Sequence, residues 1–174
     1  GANASAESPF RKAEIHLEKS GINYNIIRPN WFMQNFNTFW ISGINQQSKI
    51  FLPVAKAKGS FIDARDIADS ASELLVSDKL NNKDFDLTGS EALDHDQVGE
   101  ILSRETGRKI TYQEIPTEEM RKGLLSAGLP KDHTEFLLLI LGFFKEGYSE
   151  RQTDSVKAIT GKNPRKFSDY AKDY

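Results

Sequence analysis

The sequence contains no cysteine, which excludes disulfide bonds, thiolate metal ligands and a cysteine nucleophile. A lack of disulfides is typical of proteins from reducing compartments. The segment Gly1–Pro9 carries neither a basic stretch nor an apolar stretch of the kind found in signal peptides. We therefore expect a cytoplasmic protein.

Long apolar runs and an excess of charge of one sign are also missing. The longest apolar run, Phe136–Phe144, is far below the ~20 residues that span a bilayer. The 23 Lys and Arg residues are scattered among 25 Asp and Glu residues, which gives a net charge of -2. Nucleic-acid binding needs a basic surface that neutralises phosphates. We expect neither a membrane nor a nucleic acid as a partner.

Two sequence patterns that bind or activate cofactors do not occur in the chain. Without a G-x-G-x-x-G pattern, no loop of this sequence is predicted to hold a pyrophosphate at a helix N-terminus. The first predicted helix also has no Y-x-x-x-K pair, the spacing that places a tyrosine and a lysine on one helix face for proton transfer.

Histidines and paired carboxylates do not indicate a metal site. His16, His95 and His133 are far apart and lack a zinc-type spacing, and their polar neighbours favour a solvated helix face for each. Asp63 and Asp66 begin a predicted helix, where capping and the helix dipole explain them better than a catalytic role does. We expect no bound metal.

The patterns that are present indicate an α/β protein. Of the 174 residues, 38% are hydrophobic and 28% are charged, which is typical of a globular chain with a sizeable core. A helix is predicted from Pro9 until Gly21, and a buried strand follows within Ile22–Pro29. A helix followed by a buried strand is typical of a parallel sheet.

Further elements follow along the rest of the chain. Strands are predicted at Lys49–Pro53, Ser60–Ile62, Asp84–Thr88 and Ile110–Ile115. Helices are predicted at Asp63–Val76, from Asp94 or Asp96 to Gly107, from Thr117, at Pro130–Gly147, and in two short segments that contain Phe167 and Tyr170. The apolar stretch Phe136–Phe144 predicts a buried helix; a partner-binding stripe or a homodimer interface is the alternative.

Arg28–Asn35 is the segment most suggestive of a binding site. In parallel sheets ligands bind beyond the carboxyl ends of strands, and Pro29 ends a strand here. Asn30 and Asn35 offer carboxamides, and the aromatic rings between them offer an apolar wall, as in small-molecule sites. The same aromatic residues are equally typical of a packed core at a strand end.

Several segments together resemble the NmrA-like branch of the atypical short-chain dehydrogenases/reductases. They occur in the family's order and spacing and cover nearly the whole chain: Ser20–Ile22, Arg28–Asn35, Ser60–Asp69, Phe85–Gly89, Ile101–Arg108 and Thr160–Arg165. The resemblance implies the C-terminal part of a Rossmann-type parallel-sheet fold plus a smaller α+β substrate lobe. We expect residues 1–76 to belong to the Rossmann-type part, with 31–60 partly in the lobe, and residues 77–174 to form the lobe.

The resemblance also implies a cofactor, NADH or NADPH, and a small-molecule substrate. The family's glycine-rich turn would lie upstream of Gly1, so we interpret the chain as a fragment of a longer protein. Family members include quinone and azo-type reductases and redox-sensing regulators. The first hypothesis is therefore an NAD(P)-dependent oxidoreductase with a quinone-like or aromatic acceptor. The alternatives are a non-catalytic NAD(P)-sensing regulatory protein and a relative of the sugar-nucleotide epimerases.

By the same resemblance, the strand-end motif forms the wall beside the nicotinamide and the substrate. That role falls on the following residues, with Arg28 supporting the strand end: Pro29, Asn30, Trp31, Phe32 and Asn35. One position departs from the family. Many relatives carry a lysine where this chain has Phe10, which puts the usual Tyr/Lys proton relay in doubt and leaves the catalytic residues unassigned.

Overall fold

Two parallel pairs of strands organise the chain. The computed structural model describes residues 5–77 and 80–173. Residues 1–4, 78–79 and 174, at the ends of the two predicted parts of the chain, lie outside the described residues. The described elements are α1 Pro9–Lys19, β1 Asn25–Pro29, a 3-10 turn Met33–Asn37, α2 Ile41–Gln47, β2 Lys49–Leu52, α3 Ala64–Val76, β3 Lys83–Leu87, α4 His95–Thr106, β4 Thr111–Glu114, α5 Thr117–Ser126, α6 Lys131–Lys145, α7 Ser155–Thr160 and α8 Phe167–Asp173.

The first pair joins β1 to β3 in parallel, with Asn25 opposite Lys83 and Pro29 opposite Leu87. Helix α3 lies in the connection and packs against β1 and α7. A small apolar cluster of Ile62, Leu87 and others fills this side. The predicted strand and the predicted parallel sheet are confirmed, but the strand is mostly half-buried, with only Ile26 of β1 buried.

The second pair joins β2 to β4, also in parallel, with Ile50 and Leu52 fully buried. Here lies the larger core, to which residues 33–61 and residues 98–171 both contribute. The larger core therefore mixes side chains from both sides of residue 76, and the division of the chain at that point stays a prediction.

One predicted strand is wrong. Ser60–Ile62 forms no ladder; the neighbourhood has only isolated bridges, between Phe32 and Ile62 and between Gly59 and Leu93. The backbones of Ser60 and Ile62 bond to different parts of the chain, so no continuous strand pairing forms.

Local capping signals place two helices correctly. The Asp63 carboxylate caps α3 by accepting from the backbone of Arg65, and Asp94 caps α4 in a capping box with Gln97. Asp66 does not join such a box, contrary to expectation. Its buried carboxylate instead accepts a 2.8 Å hydrogen bond from the backbone N–H of Arg165 and pairs with that guanidinium.

Helix α6 is only partly buried, so the predicted buried helix is wrong for one of its faces. The buried apolar residues are Leu138, Leu141 and Phe144, whereas Phe136, Leu139 and Phe143 are exposed. A helix this apolar has more hydrophobic surface than its single packed face covers.

A segment that we call the strap, Ser149–Thr153, crosses the carboxyl ends of the β1–β3 pair. Carbonyls of its first two residues accept from the N–H (2.9 Å) and the hydroxyl (2.8 Å) of Ser60. At its other end Thr153 donates its hydroxyl to the Asp86 carbonyl at 2.6 Å, and its N–H donates to the Thr88 hydroxyl at 3.0 Å. The strap therefore fixes the region where both strands end.

Glycine is required at position 89, just after β3. A Cβ atom there would lie 1.8 Å from the carbonyl oxygen of Phe61, which is a backbone atom with little freedom to move. The N–H of Gly89 also donates to the Ser60 carbonyl at 3.2 Å. Close backbone approach at this point holds the segment around Ser60 against the strand end.

We predict that Gly89→Ala lowers the free energy of unfolding by about 2–3 kcal/mol, since the added methyl group forces backbone atoms apart. Gly123→Ala in α5 is the matched control, because nothing lies within 4 Å of its Cβ. That control should gain up to ~1 kcal/mol from helix propensity. Urea unfolding measures both, and equal effects of the two substitutions would contradict the packing argument.

Candidate functional site

Arg28 holds α1 against the sheet. Its guanidinium donates to the Glu14 carboxylate of α1 at 2.7 and 3.0 Å, and it also pairs with Asp84. The hydrogen bond from Arg28 is the main cause that lowers the pKa of Glu14 to about 2. Because the Arg28 side chain is 11% exposed, the pair is shielded from much of the solvent. Its role in supporting the strand end of a binding site stays a prediction.

The carboxamide of Asn30 is committed to internal hydrogen bonds. Its Nδ2 donates to the Ser149 carbonyl of the strap at 2.9 Å, and its Oδ1 accepts from the Trp31 N–H at 2.9 Å. Its own backbone N–H donates to the Leu87 carbonyl at 2.8 Å, directly after Pro29 ends β1. Asn30 therefore sets the direction in which the chain leaves the strand.

The ring of Trp31 lies half-buried at the border of the larger core. It stacks on Trp40 with ring centroids 6.2 Å apart and meets Phe144 edge-on at 5.6 Å. Offset-stacked and edge-to-face contacts are the favourable arrangements of aromatic rings. Core rings therefore fix one part of the indole, and the rest of it is left accessible.

Phe32 and Asn35 complete the accessible side of this segment. Phe32 is 39% exposed. The half-buried Asn35 carboxamide makes no hydrogen bond to any residue that the structure describes, although its backbone N–H donates to the Phe32 carbonyl at 3.2 Å. Between them Gln34 donates to Asp63 at 3.1 Å and accepts from the Ala64 N–H at 2.9 Å, which anchors the turn.

Trp31, Phe32 and Asn35 thus form what we call the Trp31 wall, an apolar surface with one unengaged amide. Two surface cavities lie at the ends of the β1–β3 pair, and both are lined by residues other than those of the wall. One of about 450 Å³ lies beyond the carboxyl end of β3, between Ser90, Thr153 and Lys166. Another, of about 370 Å³, lies at the opposite end of β1, near Tyr24 and Leu74.

His95 is the residue that the sequence analysis placed wrongly. Instead of facing solvent it is buried inside an aromatic cluster formed by Phe36, Trp40, Phe61, Tyr112 and Phe144. Neither ring nitrogen has a hydrogen-bond partner among the described residues. The helical spacing of His95 with the buried Val98 and Leu102 was the signal that indicates the core face.

Burial lowers the pKa of His95 from 6.5 to about 4, although Asp94 and Asp96 oppose the shift. The imidazole is therefore neutral in the folded protein at neutral pH. Tyr112 also contacts this imidazole, and burial raises the pKa of its phenol to about 12, so it is neutral as well. A neutral imidazole is compatible with the surrounding apolar rings.

We predict that the unfolding free energy falls by about 3 kcal/mol as the pH drops from 6.5 to 4 because of His95. In that window the unfolded chain binds a proton that the folded chain does not bind, so the stability is lost towards acid. His95→Leu should remove this part of the pH dependence, and substitution of the exposed His133 by leucine should retain it. Chemical denaturation at several pH values measures the difference; parallel pH profiles of all three proteins would contradict the assignment.

Residues 5–77 and 80–173 contain no group of three or more His, Asp or Glu side chains that could hold a metal ion. In the same ranges no helix is both long enough and apolar enough to cross a bilayer.

Comparisons with known proteins agree with the fold. The NmrA-like family model matches residues 11–171. Agroclavine dehydrogenase of Claviceps fusiformis is 35% identical over 162 residues, which cover 91% of this chain and 56% of that protein. The chain thus spans about half the length of this curated relative.

Solved structures show the same architecture. The NADPH complex of an NADPH-dependent quinone oxidoreductase from Escherichia coli superposes with a TM-score of 0.82 at 19% identity, over 92% of this chain and 56% of that one. NmrA, a negative transcriptional regulator in complex with NAD, gives a TM-score of 0.65 at 17% identity, over 92% and 55%. The predicted Rossmann-type α/β fold class is confirmed.

Proposed function

Because the chain belongs to the NmrA-like family, we propose that it forms the substrate-side part of an NAD(P)-dependent oxidoreductase. One observation carries the proposal: the Trp31 wall lies just past the carboxyl end of a parallel strand, where ligands bind in such sheets. Its Asn35 carboxamide has no partner in the described part of the chain, so it is free to bind a ligand.

The residues of the wall suit the ring end of a dinucleotide. A bound reduced nicotinamide supplies a hydride to an acceptor. Trp31 and Phe32 offer flat apolar surface that excludes water from a ring. Asn35 offers both a donor and an acceptor, which complement the carboxamide of nicotinamide. Pro29, Asn30 and Arg28 act indirectly, because they fix the strand end from which the wall begins.

The dinucleotide phosphates have no comparable site in this sequence, which lacks a glycine-rich turn. We therefore assign to these residues the ring end of the cofactor only. With Phe10 at the position of the family's lysine, the proton that accompanies the hydride comes from water in the proposed reaction, which leaves a reduced acceptor and an oxidised dinucleotide. The relatives agroclavine dehydrogenase and NADPH-dependent quinone oxidoreductase are oxidoreductases, which supports the reaction class.

We predict that the natural protein carrying this chain oxidises NADPH or NADH with a quinone acceptor, and that Asn35→Ala lowers kcat/KM by about 10- to 100-fold. Its melting temperature should stay unchanged, because the Asn35 amide makes no hydrogen bond within the described structure. The matched control is Asn23→Ala, at the opposite end of β1. Steady-state loss of reduced nicotinamide absorbance provides the readout. An Asn35→Ala protein as active as the control would refute the placement of the site.

A second prediction concerns the chain of 174 residues by itself. Since the ring end of a dinucleotide contributes only part of its binding energy, NADPH should show no saturable binding in the micromolar range. Isothermal titration calorimetry tests this, with the natural protein as the positive control. Micromolar binding by this chain alone would show that the phosphates are held by residues other than a glycine-rich turn.

A non-catalytic NAD(P)-sensing regulator is the second candidate. The observation in its favour is the exposed Phe10, which replaces the family's lysine, and the structural likeness to the NmrA regulator is consistent with it. The two candidates differ in a simple measurement. A sensor shows a dinucleotide-dependent rise in melting temperature without turnover of any acceptor, and an oxidoreductase shows both.

A further inference from the structure

The cavity of about 450 Å³ beyond the carboxyl end of β3, which we call the β3-end cavity, has a polar lining. Ligands of parallel sheets bind at this end of the strands, and cavities of about 300–1,000 Å³ are typical of small-molecule sites. Its walls come from the end of β3, the strap, α7 and the segment that leads to α8. The lining includes Ser90, Gln152, Thr153, Lys157, Asn163 and Lys166.

Contacts within the protein hold these walls in place. Thr153 of the strap makes two hydrogen bonds at the end of β3, and α7 packs against β3 and α3. The position of Lys166 is fixed by its neighbour, because the backbone N–H of Arg165 donates to the buried Asp66 carboxylate at 2.8 Å. The fold itself therefore shapes the cavity, as it does in most small-molecule sites.

Polar groups in the lining have no partner in the described part of the chain. The Ser90 hydroxyl and the carboxamides of Gln152 and Asn163 make no hydrogen bond to a described residue. The ammonium groups of Lys157 and Lys166 form no ion pair with a described residue either. Three neutral donors and two cations that line one cavity suit a ligand with negatively charged oxygen atoms.

The arginines beside the cavity are occupied by aspartates. Arg151 of the strap pairs with Asp86 at 2.9 Å. The Arg165 guanidinium pairs with Asp66 and, at 3.1 Å, with Asp69. A carboxylate ligand is recognised best by the planar fork of a free guanidinium. The lysines of the lining carry compact charges that bind phosphate without such a fork, so the lining favours a phosphate group over a carboxylate.

One acidic side chain, Asp154, also lines the cavity. It does not cap α7, and it forms no ion pair with a described residue. The nearby Asp169 carboxylate is not part of the lining and accepts from the backbone N–H of Lys166 at 3.4 Å. Two lysines against one aspartate leave the lining with a net positive charge, which attracts an anion, and Asp154 weakens that attraction.

We propose that the β3-end cavity binds a small organic molecule that carries a phosphate group. The ammonium groups of Lys157 and Lys166 offset the charge of the phosphate, which is about −1.5 to −2 at neutral pH. The three neutral donors bind its oxygen atoms. A cavity of this volume holds more than a phosphate ion, and the organic part of the ligand occupies the remaining space. The inference does not depend on the proposed oxidoreductase activity, because the lining contains no residue of the Trp31 wall.

The test measures binding of inorganic phosphate and of ribose 5-phosphate to the natural protein, with uncharged ribose as the control ligand. Both phosphates should produce saturable shifts of the backbone amide NMR signals of Ser90, Gln152 and Asn163, and ribose should produce none. Ribose 5-phosphate should bind at least about 3-fold more tightly than inorganic phosphate, because its sugar also contacts the walls.

Substitutions in the lining should change the affinity for ribose 5-phosphate in opposite directions. Lys157→Ala and Lys166→Ala should each weaken binding about 10-fold, since each removes one charge-assisted contact. Asp154→Asn should tighten binding about 3-fold, because it removes the opposing charge. Lys122→Ala on α5 is the matched control: it removes the same charge from an exposed residue outside the lining and should leave the affinity unchanged.

Three results would contradict the inference. The first is a lack of saturable shifts with either phosphate, or an affinity that none of the lining substitutions changes. The second is equal affinity for the two phosphates, which would identify inorganic phosphate as the ligand instead of an organic molecule. The third is displacement of ribose 5-phosphate by micromolar NADPH, which would assign the cavity to the dinucleotide. None of these measurements involves turnover, so their failure is distinguishable from a failure of the proposed function.

Discussion

The hydrogen bond from Asn30 to the Ser149 carbonyl is the contact on which the arrangement of the site depends. It joins the carboxyl end of β1 to the strap, a segment far away in the sequence. The same side chain accepts from the Trp31 N–H, and the Asn30 backbone bonds to the end of β3. One residue therefore connects two strands, the strap and the start of the wall through hydrogen bonds. Because its carboxamide has both a donor and an acceptor, asparagine satisfies both contacts at once.

Aromatic packing behind Trp31 gives this wall a firm support. Trp31 rests on Trp40 and Phe144, and Phe144 in turn contacts the imidazole of His95. Both nitrogens of His95 are buried without a partner among the residues that the structure describes, which costs free energy that the surrounding ring contacts must offset. A side chain held by such a cluster has few alternative rotamers, and rigid walls are what a ring-binding site requires. Under the proposed function, the core contributes by holding the wall in one arrangement.

Local signals in the sequence predicted those parts of the fold that depend on neighbouring residues. The Asp63 and Asp94 caps, the end of α4 at Gly107, and the strand that ends at Pro29 are all where the patterns placed them. Each of these features is decided within a few residues by hydrogen bonds or backbone geometry.

Features that depend on distant residues were missed. Asp66 binds Arg165, and Asn30 binds the strap; both partners lie about a hundred residues away in the chain. No local pattern distinguishes a carboxylate that caps its own helix from one that receives an arginine from elsewhere. The candidate site shows the same limit. The sequence proposed Asn30 and Asn35 alike, and only the tertiary contacts distinguish Asn30, whose amide is fully used, from Asn35, whose amide makes no hydrogen bond to a described residue.

The charge network on β1 also fixes the position of Phe10 on α1. Arg28 fixes Glu14 of α1 against the strand, and Phe10 lies one helical turn before Glu14, on the same face of that helix. The network therefore sets where the exposed ring of Phe10 lies, within contact of Phe136. A lysine at this position would bring a positive charge next to apolar surface, whereas phenylalanine continues that surface. In the proposed reaction this phenylalanine supplies no proton, so the proton that accompanies the hydride comes from water.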